Sequence, residues 1–331
     1  MSITIKDVAK EAGVSVATVS RVLNGSCNVS DESTKKVNET IARLNYSPNF
    51  LGRNLRKCET NVILVIMPTS EHSLYSKIVM GMQEYAGKVG YDIITAVSYS
   101  TSTAETRQMN MLFNRTVDGV ILLGTQYDAD SLNKLAENYN VALCCEGVEG
   151  ANVLTVAVDD EQAAFDAVAA LIKKGHKRIG FIGTNSAAIS STARENGYIR
   201  ALKEYGIAIK NEYIYKESYD YDCGGRAFEY FNALDEKPTA IFAVSDLLAI
   251  SAMHKAIDMD IDVGKDVAIM GFDNISMCEW IIPTLSTVEQ PCSKMGELVV
   301  AKLIENMNKT TKDNHYYTVD HRIILRESTG D

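Results

Sequence analysis

The segment from Val16 to Arg21 combines small apolar side chains, hydroxyl groups and one guanidinium on the predicted exposed face of a short helix. Such a mixture suits contact with base edges in a DNA groove. Val16 and Ala17 have the size to touch thymine methyl groups, and Arg21 has the fork of donors that matches guanine. The predicted phosphate contacts are the nearby hydroxyl and amide side chains of Thr4, Ser15, Thr18 and Asn24.

Two short helices and a tight turn must position this face. Thr4 followed by Asp7 forms a capping box that predicts the start of the first helix, and Gly13 supplies the turn after it. Ser15 is the predicted cap of the second helix, and a third helix is predicted to start near Ser30. The helix pair alone leaves open a small helical domain that only caps another fold.

Residues 61–331 alternate short apolar runs with helical patterns, which predicts two doubly wound parallel sheets covered by helices. The runs are NVILVIM, YDIITAV, GVILL and VALCC, then KRIGFIG, TAIFAV and VAIMGF. Because two series of runs follow one another, we expect two lobes in succession. Ligands of such sheets bind beyond the carboxyl ends of the strands, so polar residues at those ends are the candidates.

Arginine, aspartate and tyrosine side chains follow several of these strands and together suit a polyhydroxylated or phosphorylated sugar. Carboxylates accept hydroxyl protons, arginine forks onto oxygens, and an aromatic ring stacks on the sugar face. The candidate ligand contacts are Thr69, Tyr75, Arg194, Tyr219, Ser245, Asp246 and Asp273. Simpler alternatives stay open: Asp246 as a helix cap, Asp273 as a turn residue and Arg194 as a surface ion-pair partner.

Charge is unevenly distributed along the chain. Residues 1–60 hold nine Lys and Arg against six Asp and Glu, a balance of +3, while all 331 residues together carry −10. The remainder therefore carries −13, which a polyanion such as DNA would repel. The sequence predicts weak and salt-sensitive binding by one amino-terminal domain, so we expect two such domains to act together.

Motifs of other function classes are not found in the sequence. No export signal and no apolar run near 18 residues is present, so we expect a cytoplasmic protein without a membrane segment. Seven cysteines without CxxC spacing indicate reduced thiols rather than a zinc site or a disulfide framework. The five histidines are dispersed, and no nucleophile–base pair can be named. We therefore expect no catalysis, no metal and no cofactor.

Two segments, TIKDVAKEAGVSVATVSRVLNG (4–25) and LNYSPNFLGRNL (44–55), resemble the DNA-binding headpiece of the LacI/GalR family of bacterial transcription regulators. The similarity continues through nearly all of the chain. It implies an all-α helix-turn-helix headpiece joined to an α/β two-lobe body like that of periplasmic binding proteins. The implied domains are a headpiece at 1–48, a hinge helix or linker at 49–59, and an effector-binding and dimerisation body at 60–331.

The resemblance also implies partners and a mechanism. A homodimer would bind double-stranded operator DNA, and a sugar or sugar phosphate between the lobes would control repression of carbohydrate metabolism genes. In the hinge, Arg53 and Leu55 match the minor-groove segment, where an apolar wedge bends the duplex. Gly52 departs from the alanine that is more common in the family, which costs a helix about 1 kcal/mol. Simple linker packing by Leu51 and Leu55 is the alternative.

Part of the effector site departs from the family pattern. Arg194, Tyr219, Ser245, Asp246 and Asp273 match its effector contacts. Thr69 and His72 stand where the family often has aspartate and asparagine, and Cys145-Glu146 stands where Asp-Arg is frequent. The resemblance therefore implies an effector that differs from an ordinary free sugar.

A branch of the family, the catabolite control protein A-like regulators, shares the segments DDEQAAFDAV, EKPTAIF and HRIILREST. That branch uses seryl-phosphorylated HPr as corepressor, and Arg322 matches one of its partner-binding arginines. Ala301 lies near the place of another, and a phosphoserine without it would lose a bidentate partner. This phosphoprotein is thus an alternative to the small-molecule effector. A sugar-binding transport-type protein is a further alternative, against which the headpiece argues.

Overall fold

The computed structural model describes residues 3–23, 29–46, 59–185, 188–309 and 312–331. The chain divides into two compact units, Met1–Glu59 and Thr60–Asp331. The predicted boundary at residue 48 and the predicted hinge residues Arg53 and Leu55 lie outside the described residues, so these assignments stay predictions.

Three helices form the first unit, and local signals set their ends. They are α1 (Ile5–Ala12), α2 (Val16–Leu23) and α3 (Asp31–Leu44). Gly13 adopts φ +67° after α1, a left-handed conformation that favours glycine. Helix α3 starts beside Ser30, as predicted, and the side chain of Ser30 caps it. One fully buried valine from each helix fills the core of this unit: Val8, Val19 and Val37.

The first lobe of the second unit is a six-stranded parallel sheet. Its strands are β1 (Val62–Met67), β2 (Asp92–Val97), β3 (Gly119–Leu122), β4 (Val141–Cys145), β5 (Leu154–Ala157) and β11 (Tyr316–Thr318). Their order is β11-β5-β4-β3-β1-β2. Its helices are α4 (Ser73–Lys88), α5 (Ser102–Phe113), α6 (Ala129–Asn138) and α11 (Cys292–Met307). Alternate side chains of β1 pack on opposite faces, Ile63 with α4 and α11 and Leu64 with α5 and α6, because strand side chains alternate.

The second lobe repeats this plan with one antiparallel edge. Its strands are β6 (Ile179–Thr184), β7 (Ile214–Glu217), β8 (Ala240–Ala243), β9 (Ala268–Asp273), β10 (Ser286–Glu289) and β12 (Arg322–Ile324). Their order is β12-β10-β9-β8-β6-β7, with only β12 antiparallel to its neighbour among the described pairings. Its helices are α7 (Asp160–Lys173), α8 (Ile189–Glu204), α9 (Tyr221–Asn232) and α10 (Asp246–Asp258). The predicted fold class, a helical headpiece with two α/β lobes, is confirmed.

The first lobe is built from two separate segments of the chain, one before and one after most of the second lobe. The prediction that one lobe is complete before the next begins was therefore wrong. After β10 the chain returns to the first lobe, where α11 packs on the sheet and β11 joins its edge, before β12 returns to the second lobe. Glycines allow α11 to approach α4, since a Cβ on Gly81 would overlap the carbonyl of Ser293 and one on Gly296 the carbonyl of Ile78. Local periodicity shows that a segment is helical but not which lobe it joins.

The cysteines and the helix lengths bear on the expectations drawn from composition. The cysteines in those ranges are all free thiols: Cys144, Cys145, Cys223, Cys278 and Cys292. Over the same ranges, no helix has both the length and the apolar character needed to cross a bilayer.

Candidate functional site

Helix α2 presents the predicted base-reading residues to solvent. The side chain of Val16 is 42% exposed, and Ala17 and Arg21 are exposed too, whereas Val19 is buried in the core of the first unit. The 3.6-residue period of the helix produces this division. A small apolar surface beside a guanidinium on a short helix fits the major groove. Contact of these side chains with bases stays a prediction.

The hydroxyl groups of the predicted phosphate contacts differ in the hydrogen bonds that they already make within the protein. Ser15 Oγ accepts from the Thr18 amide at 3.1 Å, which caps α2, and the two hydroxyl oxygens are 2.9 Å apart. The amide and the hydroxyl of Thr4 both donate to Asp7 Oδ2, at 2.8 and 2.7 Å. Because a hydroxyl has one proton to donate, Thr4 is the least supported phosphate contact. Asn24 lies outside the described residues.

Arg194 of α8 lies beside Asp273, the carboxylate that faces His72 of the first lobe across the cleft. Its Nε donates to Asp160 Oδ1 at 2.8 Å, and its Nη1 donates to the Val244 carbonyl at 2.6 Å. The same Nη1 lies 3.7 Å from Asp273 Oδ1, and the guanidinium lies 3.7 Å above the centre of the Phe272 ring. The side chains of Arg194 and Asp160 are only 11% and 8% exposed. The alternative of a surface ion-pair partner is therefore wrong.

The buried cluster stabilises the positive charge of Arg194 more than the negative charge of Asp160. Burial raises the pKa of Asp160 to about 6, although Arg194 acts to lower it. Burial acts to lower the pKa of Arg194, but the carboxylates of Asp160 and Asp273 outweigh it and raise the pKa above the usual value. The guanidinium therefore stays charged at every physiological pH, whereas the carboxyl group of Asp160 is partly protonated near pH 6.

His72 of the first lobe joins two predicted effector contacts of the second. Its Nε2 lies 2.9 Å from the Tyr219 hydroxyl and 3.7 Å from Asp273 Oδ2. The rings of His72 and Tyr219 are nearly parallel, with centroids 6.2 Å apart, and the ring of Tyr75, which belongs to the same lobe as His72, has its centroid 5.4 Å from that of His72. The structure therefore brings together Tyr75, Tyr219, Asp273 and Arg194, all predicted from sequence.

Two further side chains of the first lobe reach the second. Lys77 Nζ donates to the carbonyl of Asn274 at 2.7 Å. Glu146 Oε2 accepts from the Ser190 amide at 3.2 Å, at the amino end of α8, where a carboxylate is favoured by the helix dipole. Glu146 directly follows β4, so its carboxylate reaches the second lobe from a strand end of the first.

The two tyrosines of the cleft have hydroxyls that resist ionisation. Burial raises the pKa of Tyr219 to about 12, and the nearby carboxylate of Asp273 contributes, while a hydrogen bond with Ser245 opposes the shift. Burial also raises the pKa of Tyr75, with further contributions from Cys145 and Glu146. Both groups therefore remain protonated hydroxyls, which donate and accept hydrogen bonds at neutral pH.

Asp246 has its oxygens engaged by the protein itself. Thr287 Oγ1 donates to Oδ1 at 2.5 Å and the Ile275 amide donates to Oδ2 at 2.8 Å, and the residue is fully buried. Burial raises its pKa to about 7, and the charge of Asp273 adds to the shift. The cap of α10 is the side chain of Ser245, so the alternative of Asp246 as that cap is wrong. An effector contact by Asp246 remains an untested prediction with little free acceptor capacity to support it.

Asp273 ends β9 in a strained conformation. Its φ is +118°, in the region that favours glycine, and such strain costs about 1–3 kcal/mol. Strained residues of this kind cluster at ligand sites because the surrounding structure holds them in place. Here Gln290 Nε2 donates to Asp273 Oδ1 at 2.7 Å, and the side chain is 2% exposed. The alternative of a simple turn residue does not account for this buried carboxylate.

Sequence reasoning missed three partners of the cleft: Asp160, Phe272 and Gln290. Asp160 follows β5, a four-residue run that was not recognised as a strand, and the rule on strand carboxyl ends would otherwise have identified it. Thr69 lies in the loop after β1, where its hydroxyl accepts from the Glu71 amide at 3.1 Å. Its role as an effector contact stays a prediction.

Two cations that could meet a phosphoprotein are already paired with carboxylates: Arg322, which matches the family branch, and Lys302 of α11, a possible point charge. Arg322 Nε donates to Glu289 Oε2 at 2.6 Å, and Lys302 Nζ donates to Glu305 Oε2 at 3.0 Å. A shallow groove between α4 and α11 is lined by Gly81, Glu84, Tyr85, Lys88, Ser293 and Glu297. Its two glutamates against one lysine give a face that repels rather than attracts a phosphate.

Similarity to known proteins extends over both units. Residues 4–49 match the family model for bacterial regulatory proteins, lacI family, and residues 168–329 match that for a periplasmic binding protein-like domain. Catabolite control protein A of Priestia megaterium is 38% identical over 331 residues, covering 99% of this chain and all of that protein. The Lac repressor dimer bound to operator and the anti-inducer ONPF matches 99% of both chains at 23% identity with a TM-score of 0.89. The CelR–cellobiose complex matches 98% of this chain and 99% of that chain at 26% identity, with a TM-score of 0.74.

Proposed function

The chain belongs to the lacI family of bacterial regulatory proteins and is a DNA-binding transcription regulator, and on that premise we propose that it is a sugar-responsive repressor. The observation that carries the proposal is the Arg194 cluster, a buried guanidinium and two carboxylates of the second lobe that His72 of the first lobe approaches. The other unit of the chain exposes a helix suited to DNA. We propose that it acts in the cytoplasm on carbohydrate metabolism genes.

DNA recognition is assigned to α2. Val16 and Ala17 contact thymine methyl groups and Arg21 contacts guanine, while Ser15 and Thr18 hold phosphates beside the amino end of the helix. Because residues 1–60, the headpiece with its hinge, carry a balance of only +3, two copies are needed for specific affinity. In the hinge, Leu55 is the proposed minor-groove wedge and Arg53 its basic neighbour.

The second headpiece is supplied by a second copy of this chain. A symmetric dimer presents two equivalent readers to a pseudo-palindromic operator. The segment after β9 supports such an interface, since Trp280 is 76% exposed and Ile282 is 88% exposed. Large exposed apolar and aromatic side chains are typical anchors of protein interfaces.

The effector is assigned to the cleft. Arg194 and Asp273 bind sugar hydroxyls, and Tyr219 and Tyr75 supply ring faces and neutral hydroxyls. That the CelR structure is a complex with cellobiose supports a sugar at this site. The effector acts through its different affinity for two lobe arrangements, which move the two hinges relative to each other. Phosphorylated HPr is not favoured, because Arg322 and Lys302 are paired with glutamates.

Operator binding provides the test of this function. Operator sequences are selected from random duplexes with the full chain, and binding is then measured by fluorescence anisotropy for wild type, Arg21→Ala and Lys35→Ala. Lys35 is an exposed residue of α3 and carries the same charge, so it is the matched control. Arg21→Ala should reduce specific affinity about 10- to 100-fold and relax preference at one base pair, since a bidentate contact is worth about 1–3 kcal/mol. Equal losses for both variants would contradict the assignment of α2.

The hinge and the effector site are tested in the same assay. Leu55→Ala should weaken operator binding far more than non-specific binding, and equal loss would reject the wedge. Arg194→Ala should abolish the response to sugars while sparing operator affinity, because Arg194 lies in the body and not in the reading helix.

A further inference from the structure

Carboxylates outnumber cations in the cleft. Asp160 and Asp273 flank Arg194 at 2.8 and 3.7 Å, so two negative charges already face one guanidinium. Glu146 adds a third carboxylate from the first lobe, next to the Ser190 amide. The three carboxylates interact, since besides burial the charges of Asp273 and Glu146 both raise the pKa of Asp160. The three carboxylates of the cleft therefore outnumber its two nearby cations, Arg194 and Lys77.

The cations near the cleft already make hydrogen bonds within the protein, which leaves Nη2 of Arg194 to meet a ligand. Arg194 uses Nε on Asp160 and Nη1 on the Val244 carbonyl. Lys77 directs its ammonium to the Asn274 carbonyl at 2.7 Å. A phosphate entering this cleft would meet the charge of Glu146 where the family frequently has arginine, and like charges repel strongly in water-poor surroundings. The sugar-phosphate half of the prediction is thus disfavoured.

Aromatic rings and one hydroxyl complete the environment. Tyr75, His72 and Tyr219 form a continuous set of rings, with neighbouring centroids 5.4 and 6.2 Å apart. Ring faces attract cations as well as sugar C–H groups. The Tyr75 hydroxyl makes no hydrogen bond to any residue that the structure describes, although Glu146 and Asp273 are close enough to raise its pKa. It is a polar group left for a ligand.

We propose that the effector is a sugar carrying a protonated amino group, and that Glu146 is the residue that selects this amino group; the proposal rests on the proposed function of the cleft. The ammonium lies between Glu146 and the ring of Tyr75, and the hydroxyls of the sugar are bound by Arg194 and Asp273. An ammonium offsets the excess negative charge of the carboxylates. A neutral sugar would leave that excess unchanged, and a phosphate would add to it.

Matched sugars test the charge of the ligand. The full chain is titrated by calorimetry with three triplets, glucose, galactose and mannose, each as parent sugar, 2-amino sugar and 6-phosphate. Within at least one triplet the amino sugar should bind at least tenfold more tightly than the parent, with the phosphate weakest. Glu146→Gln keeps an acceptor for the Ser190 amide but removes the charge, and should cancel that preference. Glu149→Gln, an exposed residue of the same loop, is the control and should retain it.

The outcomes separate this proposal from the proposed function. If some of these sugars bind but in no triplet is the amino sugar bound at least tenfold more tightly than its parent, the sugar-responsive function stands and the amino-group proposal is overturned. If none of the nine sugars binds, both are overturned. If Glu146→Gln retains the preference for the amino sugar, the selecting role of Glu146 is overturned.

Discussion

Replacing Arg194 by methionine tests the buried ion cluster on which the effector site depends. Methionine keeps an unbranched apolar chain as far as the position of Nε but removes the charge and the guanidinium that lies over Phe272. The side chains of Arg194, Asp160 and Asp273 are 11%, 8% and 2% exposed, so the substitution leaves two buried carboxylates without their cation. Removing one partner of a buried pair costs about 3–5 kcal/mol. For a body of this size, we expect the thermal midpoint to fall by roughly 10 °C, at about 2–4 °C per kcal/mol.

The loss should depend on pH with a definite sign. Without Arg194 the pKa of Asp160 rises above its value of about 6, so protonation relieves the uncompensated charge when the pH falls through that range. The destabilisation should therefore be larger at pH 8 than at pH 5. Differential scanning calorimetry of the full chain at both pH values measures it, following the transition of the second unit.

Arg200→Met is the matched control for this prediction. Arg200 also lies on α8 and pairs with Glu161 at 2.5 Å, but the two side chains are 34% and 38% exposed. Exposed pairs contribute about 0–1 kcal/mol, so the thermal midpoint should move by only about 2 °C. Equal shifts for the two variants, or an Arg194→Met shift that is the same at pH 5 and pH 8, would refute the buried-cluster reasoning.

Three further predictions concern other parts of the chain. Gly296→Ala should destabilise the second unit by about 1–3 kcal/mol in calorimetry, because its Cβ would overlap the carbonyl of Ile78, whereas Gly87→Ala, with open space around it, should not. Ser15→Ala should lower the thermal midpoint of the first unit through loss of a cap worth about 0.5–2 kcal/mol, and unchanged unfolding would contradict the capping role. The stability of the second unit should fall as pH rises from 5 to 8, because the pKa of Asp246 is about 7 in the folded state and lower when unfolded; a stability that rises over this range in calorimetry would contradict the assignment.

The ends of the headpiece helices could be predicted because the interactions that set them are local. Asp7 accepts from Thr4 three residues before it, and Ser15 accepts from the amide of Thr18 three residues after it. Only residue types and short spacings are needed for such bonds, and the sequence contains both. The burial of Val19 opposite Arg21 follows in the same way from helical periodicity.

The candidate site could be predicted only in part. Arg194, Tyr219 and Asp273 were identified because each stands at or near a strand end or in a segment that resembles the family. Their partners Asp160 and Gln290 were missed, since β5 is a four-residue run and a glutamine after a strand has many other roles. For Asp246 the sequence leaves both a helix cap and a ligand contact open. The structure shows that the cap is the residue before it, Ser245.

The sequence by itself determined the helices, most strands, the exposed reading face and the membership of a family. Only the tertiary structure decided which charges meet in the cleft. Asp160, Arg194 and Asp273 are 34 and 79 residues apart along the chain and belong to three different elements. Glu146 and His72 reach the same place from the other lobe, and α11 returns to that lobe after the second has formed. Such contacts depend on how sheets and helices pack, which local patterns do not specify.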